Sequence, residues 1–182
     1  MSAAIVAFAG AIGSGKSTIS TALAKELGWA RTSFGDYVRE EAARRELDPT
    51  SRTVLQILGE QLIAEGWEPF CRAVLNRVSW RPGQALIIDG VRHVKALETL
   101  RRLVAPLPIR LIYLALDDGS RAARIHERTP RQEPAAGSPE QHPTEHEVAT
   151  RLSPLADLQV NTSRDVHASL DLIISHLALH EW

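Results

Sequence analysis

The stretch Gly10 to Ser17, GAIGSGKS, constrains this chain more than any other, because its GxxxxGK[ST] spacing falls directly between an apolar run and an amphipathic run. Gly10, Gly13 and Gly15 permit a turn tight enough to aim successive backbone N–H groups at one point, and the helix that follows directs its positive end there. A chain of phosphates suits such a cradle. Lys16 is then placed to neutralise the β and γ phosphates, Ser17 offers a hydroxyl to Mg²⁺, and Thr18 continues the same helical turn. The binding segment comprises Gly10, Ala11, Ile12, Gly13, Ser14, Gly15, Lys16, Ser17 and Thr18, with ATP and Mg²⁺ as the implied cofactors. An ordinary glycine-rich turn with a chance lysine is the bland alternative, and the strand and helix on either side speak against it.

The apolar runs IVAFA (5–9), ALIID (85–89) and RLIYLAL (110–116) lack the alternation of a half-wet strand, so they read as parallel strands buried on both faces. Each is followed by a helical pattern: TISTALAKEL ending at Gly28, then HVKALETLRRLV, then DGSRAARIHER. Strand alternating with helix predicts a doubly wound α/β domain with right-handed crossovers. Between the first two runs lies a segment rich in helical signals, GDYVREEAARREL, SRTVLQILGEQLIAEG and EPFCRAVLNRV. The middle one sets Val54, Leu55, Leu58 and Leu62 along one stripe. Residues 129–143 carry four prolines and no apolar period, which predicts a long, functional, mobile loop. A last strand near ADLQV and a closing helix bearing Leu170, Ile173, Ile174 and Leu177 complete the pattern.

Composition narrows the function. The chain has 182 residues, 44% hydrophobic, 24% charged, with a formal charge of -1, as expected of one compact domain with no broad reason to bind nucleic acid or acidic lipid. The apolar start AAIVAFAG lacks a basic leading region and runs into the glycine turn, so it reads as a strand rather than a signal peptide. No apolar stretch reaches the roughly 20 residues needed to span a bilayer. The single cysteine, Cys71, cannot pair within the chain, and a reducing cytoplasm is expected. Cations are overwhelmingly arginine, the residue suited to planar, bidentate capture of phosphate.

Asp89 closes an apolar strand, where a carboxylate can organise Mg²⁺ through water or merely cap the next helix; beside a phosphate-binding turn the metal role is favoured. Taken in order, GAIGSGKST, GDYVRE (35–40), IIDGVRHVKALETL (87–100) and RAARIHER (121–128) make the chain resemble the P-loop nucleoside and nucleotide monophosphate kinases, closest to the adenylate-kinase-like and dephospho-CoA-kinase-like branch with its deoxynucleotide kinases. The resemblance implies a three-layer α/β/α P-loop NTPase fold with a parallel sheet. Its core is expected at 1–34, 84–118 and 152–182, with a helical acceptor-binding insert at 35–80 and a short mobile lid at 119–151.

It further implies that Arg39 and Arg92 hold the acceptor phosphate, that Asp36 lies near the acceptor, and that Arg124 and Arg128 close over the transferring group with Arg92 and Lys16 as catalytic cations. Arg124 and Arg128 are four residues apart and so share a helix face, with Arg121 one turn earlier. Arg131 and Arg151 are secondary lid candidates, and Asn161, Thr162 and Ser163 are placed near adenine. The lid stretch lacks the cysteines of zinc-bearing lids. Asp36 also reads as a cap for a helix beginning at Tyr37.

The expected activity is transfer of the γ-phosphoryl of Mg-ATP to a nucleoside or deoxynucleoside monophosphate. The expected partner is a small-molecule nucleotide acceptor, with no nucleic acid and no membrane, and the chain a monomer or homodimer. Two alternatives stay open: a dephospho-CoA-kinase-like enzyme, whose hydroxyl acceptor would call on Asp36 or Asp89 as a base, and a nucleotide-binding regulatory ATPase. His142 with His146, and His176 with His180, have i, i+4 spacing but no third ligand nearby, and read as helix-surface residues. Cys71 reads as a small buried hydrophobe, and Trp29, Trp67 and Trp80 as filling the core or the acceptor pocket.

Overall fold

Every residue of β1 (Ile5–Gly10) is buried, and its side chains enter two different cores in alternation, which is why its sequence shows no polar face. The computed structural model describes residues 4–117, 119, 146–163 and 165–179. Within them the chain runs β1, α1 (Lys16–Leu27), β2 (Ala30–Ser33), α2 (Phe34–Arg44), α3 (Arg52–Glu65), α4 (Trp67–Asn76), β3 (Leu86–Asp89), α5 (Val94–Val104), β4 (Ile109–Ala115), a turn of π-helix (Val148–Leu152), β5 (Leu158–Asn161) and α6 (Val166–Leu179). The five strands form one parallel sheet in the order β2-β3-β1-β4-β5, flanked by helices on both faces. This is the three-layer α/β/α arrangement of the P-loop kinases.

On one face, Val6 and Phe8 of β1 meet Ile19 and Leu23 of α1 and Leu170, Ile173 and Leu177 of α6. On the other, Ile5, Ala7 and Ala9 meet residues of α2 to α5, among them Val38, Leu58, Phe70 and Leu97. Each large aliphatic side chain buried in these cores contributes roughly 1.5–3 kcal/mol relative to exposure. Leu58 and Leu62 are buried as the stripe on α3 requires, while Val54 and Leu55 are half-buried. Phe34 and Phe70 meet edge to face at 5.2 Å, joining α2 to α4. Cys71 is fully buried, and burial pushes its thiol up to about 12, so it stays a neutral hydrophobe. Trp29 packs against the α1–α6 core, and Trp67 and Trp80 pack against the other.

Two local features differ from the sequence reading. The strand β2, ARTS, lies between two helical signals, in a stretch to which the sequence reading assigns no element; four residues with three polar side chains carry no hydrophobic period, and the strand exists because β3 offers it a ladder from Leu86 to Asp89. The helix after it begins at Phe34 rather than Tyr37. Its cap is Ser33, whose hydroxyl accepts the Asp36 N–H at 3.2 Å, so Asp36 sits in the first turn and keeps its carboxylate for other partners.

The helix α5 has an unusual start. His93 stands at its N-cap without a side-chain cap bond, and the remote Glu147 supplies one, its Oε1 accepting the Val94 N–H at 3.0 Å and its Oε2 lying 2.8 Å from His93 Nδ1. Burial raises the Glu147 pKa, but the Val94 N–H and the His93 ring outweigh it, and the net displacement is downward. The end of the expected lid segment, at Glu147, is thereby fastened to His93 and Val94, next to Arg92.

Candidate active site

The glycine turn leaves β1 at the carboxyl end of the sheet, between β3 and β4, where open α/β sheets bind ligands. Gly13 and Gly15 have φ of 84° and 86°, in the left-handed region where a side chain is strained. Gly10 has φ 146°, and a β-carbon there would lie 2.5 Å from the Leu114 carbonyl oxygen. Ala11, Ile12, Gly13 and Gly15 are half-buried along the turn, and Ser14 is buried at its crest. The turn hands over to α1 through the Ile19 N–H, which donates to the Gly15 carbonyl at 3.0 Å. Lys16 is nearly buried. Its Nζ donates to the carbonyls of Gly10 and Ala11 at 2.7 Å each, which holds the ammonium across the mouth of the loop.

Ser17 and Thr18 are exposed on the first turn of α1. The Ser17 hydroxyl donates to Asp89 Oδ2 at 3.0 Å, so the two residues expected to share a metal meet across 72 positions of sequence. Asp89 is buried, and its second oxygen, Oδ1, has no hydrogen-bond partner among the described residues. A buried carboxylate oxygen left without a donor is costly unless a cation or an ordered water meets it. One carboxylate and one hydroxyl beside a phosphate cradle make the donor set that Mg²⁺ takes when it keeps several waters, so these residues fit the ion.

Arg31, on β2, was invisible to sequence reasoning and occupies the centre of the site. Register pairs it with Ile87 and pairs Ser33 with Asp89, so its side chain runs along the α1 face of the sheet toward the strand ends. There Nη2 donates to Asp89 Oδ2 at 2.6 Å, Nη1 to Asp36 Oδ2 at 3.3 Å and Nε to Ser20 Oγ at 2.8 Å. Asp36 in turn receives Arg39 Nη1 on Oδ1 at 3.1 Å, and Arg39 is otherwise open, its side chain 56% exposed. Charges therefore alternate in a line from Asp89 through Arg31 and Asp36 to Arg39. Only the pairing along a four-residue strand brings Arg31 there, and nothing in ARTS signals it.

Arg92 is half-buried three residues beyond Asp89, just before α5, and the ring of the next residue, His93, lies 5.1 Å from that of Trp67. Thr162 is buried, its hydroxyl donating to the Ser14 carbonyl at 2.8 Å, while Asn161 turns its Oδ1 to the Ser163 N–H. Thr162 thus props the crest of the glycine turn. Arg151 is exposed, and its charge helps hold Glu147 ionised. Arg121, Arg124, Arg128 and Arg131 lie outside the described residues, as does His142 with most of the expected lid. Among the described residues no group of three or more His, Cys, Asp and Glu is placed to hold a metal, and no helix is long and apolar enough to cross a membrane.

Comparison with known proteins agrees with the fold. The model of the AAA domain family AAA_18 matches residues 6–145. A UPF0200 protein of Aeropyrum pernix is 39% identical over 101 residues, covering 54% of this chain and 51% of that protein. A UPF0200 protein of Pyrobaculum aerophilum is 31% identical over 134 residues, covering 74% of this chain and 71% of that protein. The chain spans about half the length of the first curated relatives it matches. Among solved structures, a shikimate kinase from Acinetobacter baumannii superposes with a TM-score of 0.61 at 20% identity, over 97% of this chain and 93% of the other, a likeness of fold. On the extent of these matches, the chain belongs to the AAA domain (AAA_18) family and to the UPF0200 family, on a P-loop kinase-like fold suited to nucleotide binding.

Proposed function

We propose that the chain transfers the γ-phosphoryl group of Mg-ATP to an acceptor that is itself a phosphate monoester, a nucleoside or deoxynucleoside monophosphate. The observation that carries this reading is the line Ser17–Asp89–Arg31–Asp36–Arg39, which joins a carboxylate beside the glycine turn to an open arginine on α2. The AAA_18 match and the kinase fold support the donor half of the reaction.

The glycine-turn amides and Lys16 bind and orient the triphosphate, Lys16 exchanging its two loop carbonyls for phosphate oxygens. Ser17 and Asp89 would hold Mg²⁺, which when bound offsets phosphate charge and orients the β and γ groups. Arg39 and Arg92 hold the acceptor phosphate so that one of its oxygens faces the γ-phosphorus. That oxygen forms the new P–O bond, the bond to the β–γ bridging oxygen breaks, and ADP leaves with the electron pair. Arg124 and Arg128 close over the transferring group. An ionised acceptor needs no base, and both oxygens of Asp36 are already engaged by Arg31 and Arg39, which favours a phosphate acceptor over a neutral hydroxyl. The partner is a small molecule met in the reducing cytoplasm by a monomer or homodimer.

The test is ADP release from Mg-ATP with a panel of nucleoside monophosphates, deoxynucleoside monophosphates and dephospho-CoA. Release that depends on a monophosphate is expected. Release with dephospho-CoA alone would assign a hydroxyl acceptor, and release independent of any acceptor would leave a regulatory ATPase.

A further inference from the structure

We propose that Arg31 is a positioning residue that competes with the metal for Asp89 and thereby couples the metal site to the acceptor side; this rests on the phosphoryl-transfer reading. The guanidinium is held by three side chains from three elements: Ser20 on α1, Asp89 at the end of β3 and Asp36 on α2. Its contact with Asp89 is the shortest of the three, 2.6 Å, and falls on the same Oδ2 that accepts the Ser17 hydroxyl. The guanidinium is thus the counter-ion of a buried carboxylate.

A divalent cation arriving between Ser17 and Asp89 meets a guanidinium already on that carboxylate, and like charges repel at this range. Arg31 has a second carboxylate ready, since Nη1 already reaches Asp36 Oδ2 at 3.3 Å. Shifting toward Asp36 relieves the repulsion without leaving the guanidinium unpaired. The same shift delivers it to the side where Arg39 stands open, adding a cation to the surface that meets the acceptor phosphate. Metal binding and acceptor binding then favour one position of Arg31, and by linkage each strengthens the other.

The two carboxylates make opposite predictions. Removing Arg31 as competitor by Arg31→Gln tightens metal binding, whereas removing its refuge by Asp36→Asn leaves it on Asp89 and weakens metal binding. Loss of a nearby charge alone gives the same two signs, so the double variant decides: if Asp36 acts through Arg31, Asp36→Asn changes Mn²⁺ binding little in the Arg31→Gln background, whereas additive effects would overturn the proposal. The probe is Mn²⁺, its free fraction read by electron paramagnetic resonance on the full chain, once with the metal alone and once with saturating AMPPNP. We expect Arg31→Gln to bind Mn²⁺ roughly tenfold tighter and Asp36→Asn roughly threefold weaker, on the scale of one charge-assisted contact. Unchanged or weaker binding in Arg31→Gln, or shifts of one sign in both variants, would overturn the proposal. Asp36 is half-exposed, so its variant gives a reading even where Arg31→Gln fails to fold. The titration uses no acceptor and no turnover, so a protein that transfers no phosphate still reports on Arg31, and the two failures are told apart.

Discussion

The Thr162 hydroxyl donates to the carbonyl of Ser14 at 2.8 Å, tying the loop after β5 to the crest of the glycine turn across 148 residues. The Thr162 backbone N–H donates separately to the Ala115 carbonyl at 2.9 Å, so the contact to Ser14 depends on the side chain alone. Thr162→Val keeps the volume and removes the donor, leaving a buried carbonyl unsatisfied. A loss of about 1–3 kcal/mol is expected in urea denaturation, with weaker ATP binding by titration. Stability and affinity equal to the parent would show that the turn needs no prop.

Gly10 and Gly28 both have positive φ, yet their surroundings differ. A β-carbon at Gly10 meets backbone at 2.5 Å, and one at Gly28 meets nothing within 4 Å. Gly28→Ala should cost about 1–2 kcal/mol, the left-handed penalty alone. Gly10→Ala should cost at least about 2 kcal/mol more, because β4 backbone must move. Thermal or urea melts of the two variants decide the matter, and equal costs would refute the crowding argument.

Lys16 and Arg92 are assigned to different substrates, so their losses should look different. Lys16→Ala is expected to lower turnover roughly a thousandfold with the fold retained by circular dichroism. Arg92→Ala is expected to raise the KM for the acceptor roughly tenfold while the KM for ATP changes little. A parallel rise in both constants would remove Arg92 from the acceptor site.

Glu41, buried on α2, receives both Arg44 and Arg45. The Arg44 hydrogen bonds do most to lower its pKa, Arg45 adds to them against the cost of burial, and the result is about 2. The folded state therefore takes up this proton less readily than the unfolded chain. The stabilisation is complete above the ordinary glutamate value and is lost as pH falls toward about 2. Urea midpoints between about pH 5 and about pH 2 should fall less steeply for Glu41→Gln than for the parent. Identical slopes would show that the arginine pair contributes nothing.

The turn from Gly10 to Ser17, the strand ending at Asp89 and the helices around Leu58 and Leu170 were all legible, because each depends on neighbours close in sequence. Period, turn chemistry and capping act over a few residues, and the apolar runs of β1, β3 and β4 are long enough to show burial on both faces. Arg31 could not be read in this way. Its strand is four residues long and mostly polar, and its main partner lies 58 positions away.

The sequence by itself determined that an α/β domain would carry a phosphate-binding turn, since the glycines and Lys16 act within one strand-to-helix junction. Only the tertiary structure decided what else surrounds that turn: which cation lies on Asp89 and which hydroxyl props Ser14. The reason is physical. Local periodicity specifies a segment's own conformation, whereas the partners of a polar side chain are settled by strand order and register, which emerge only when the whole sheet has assembled.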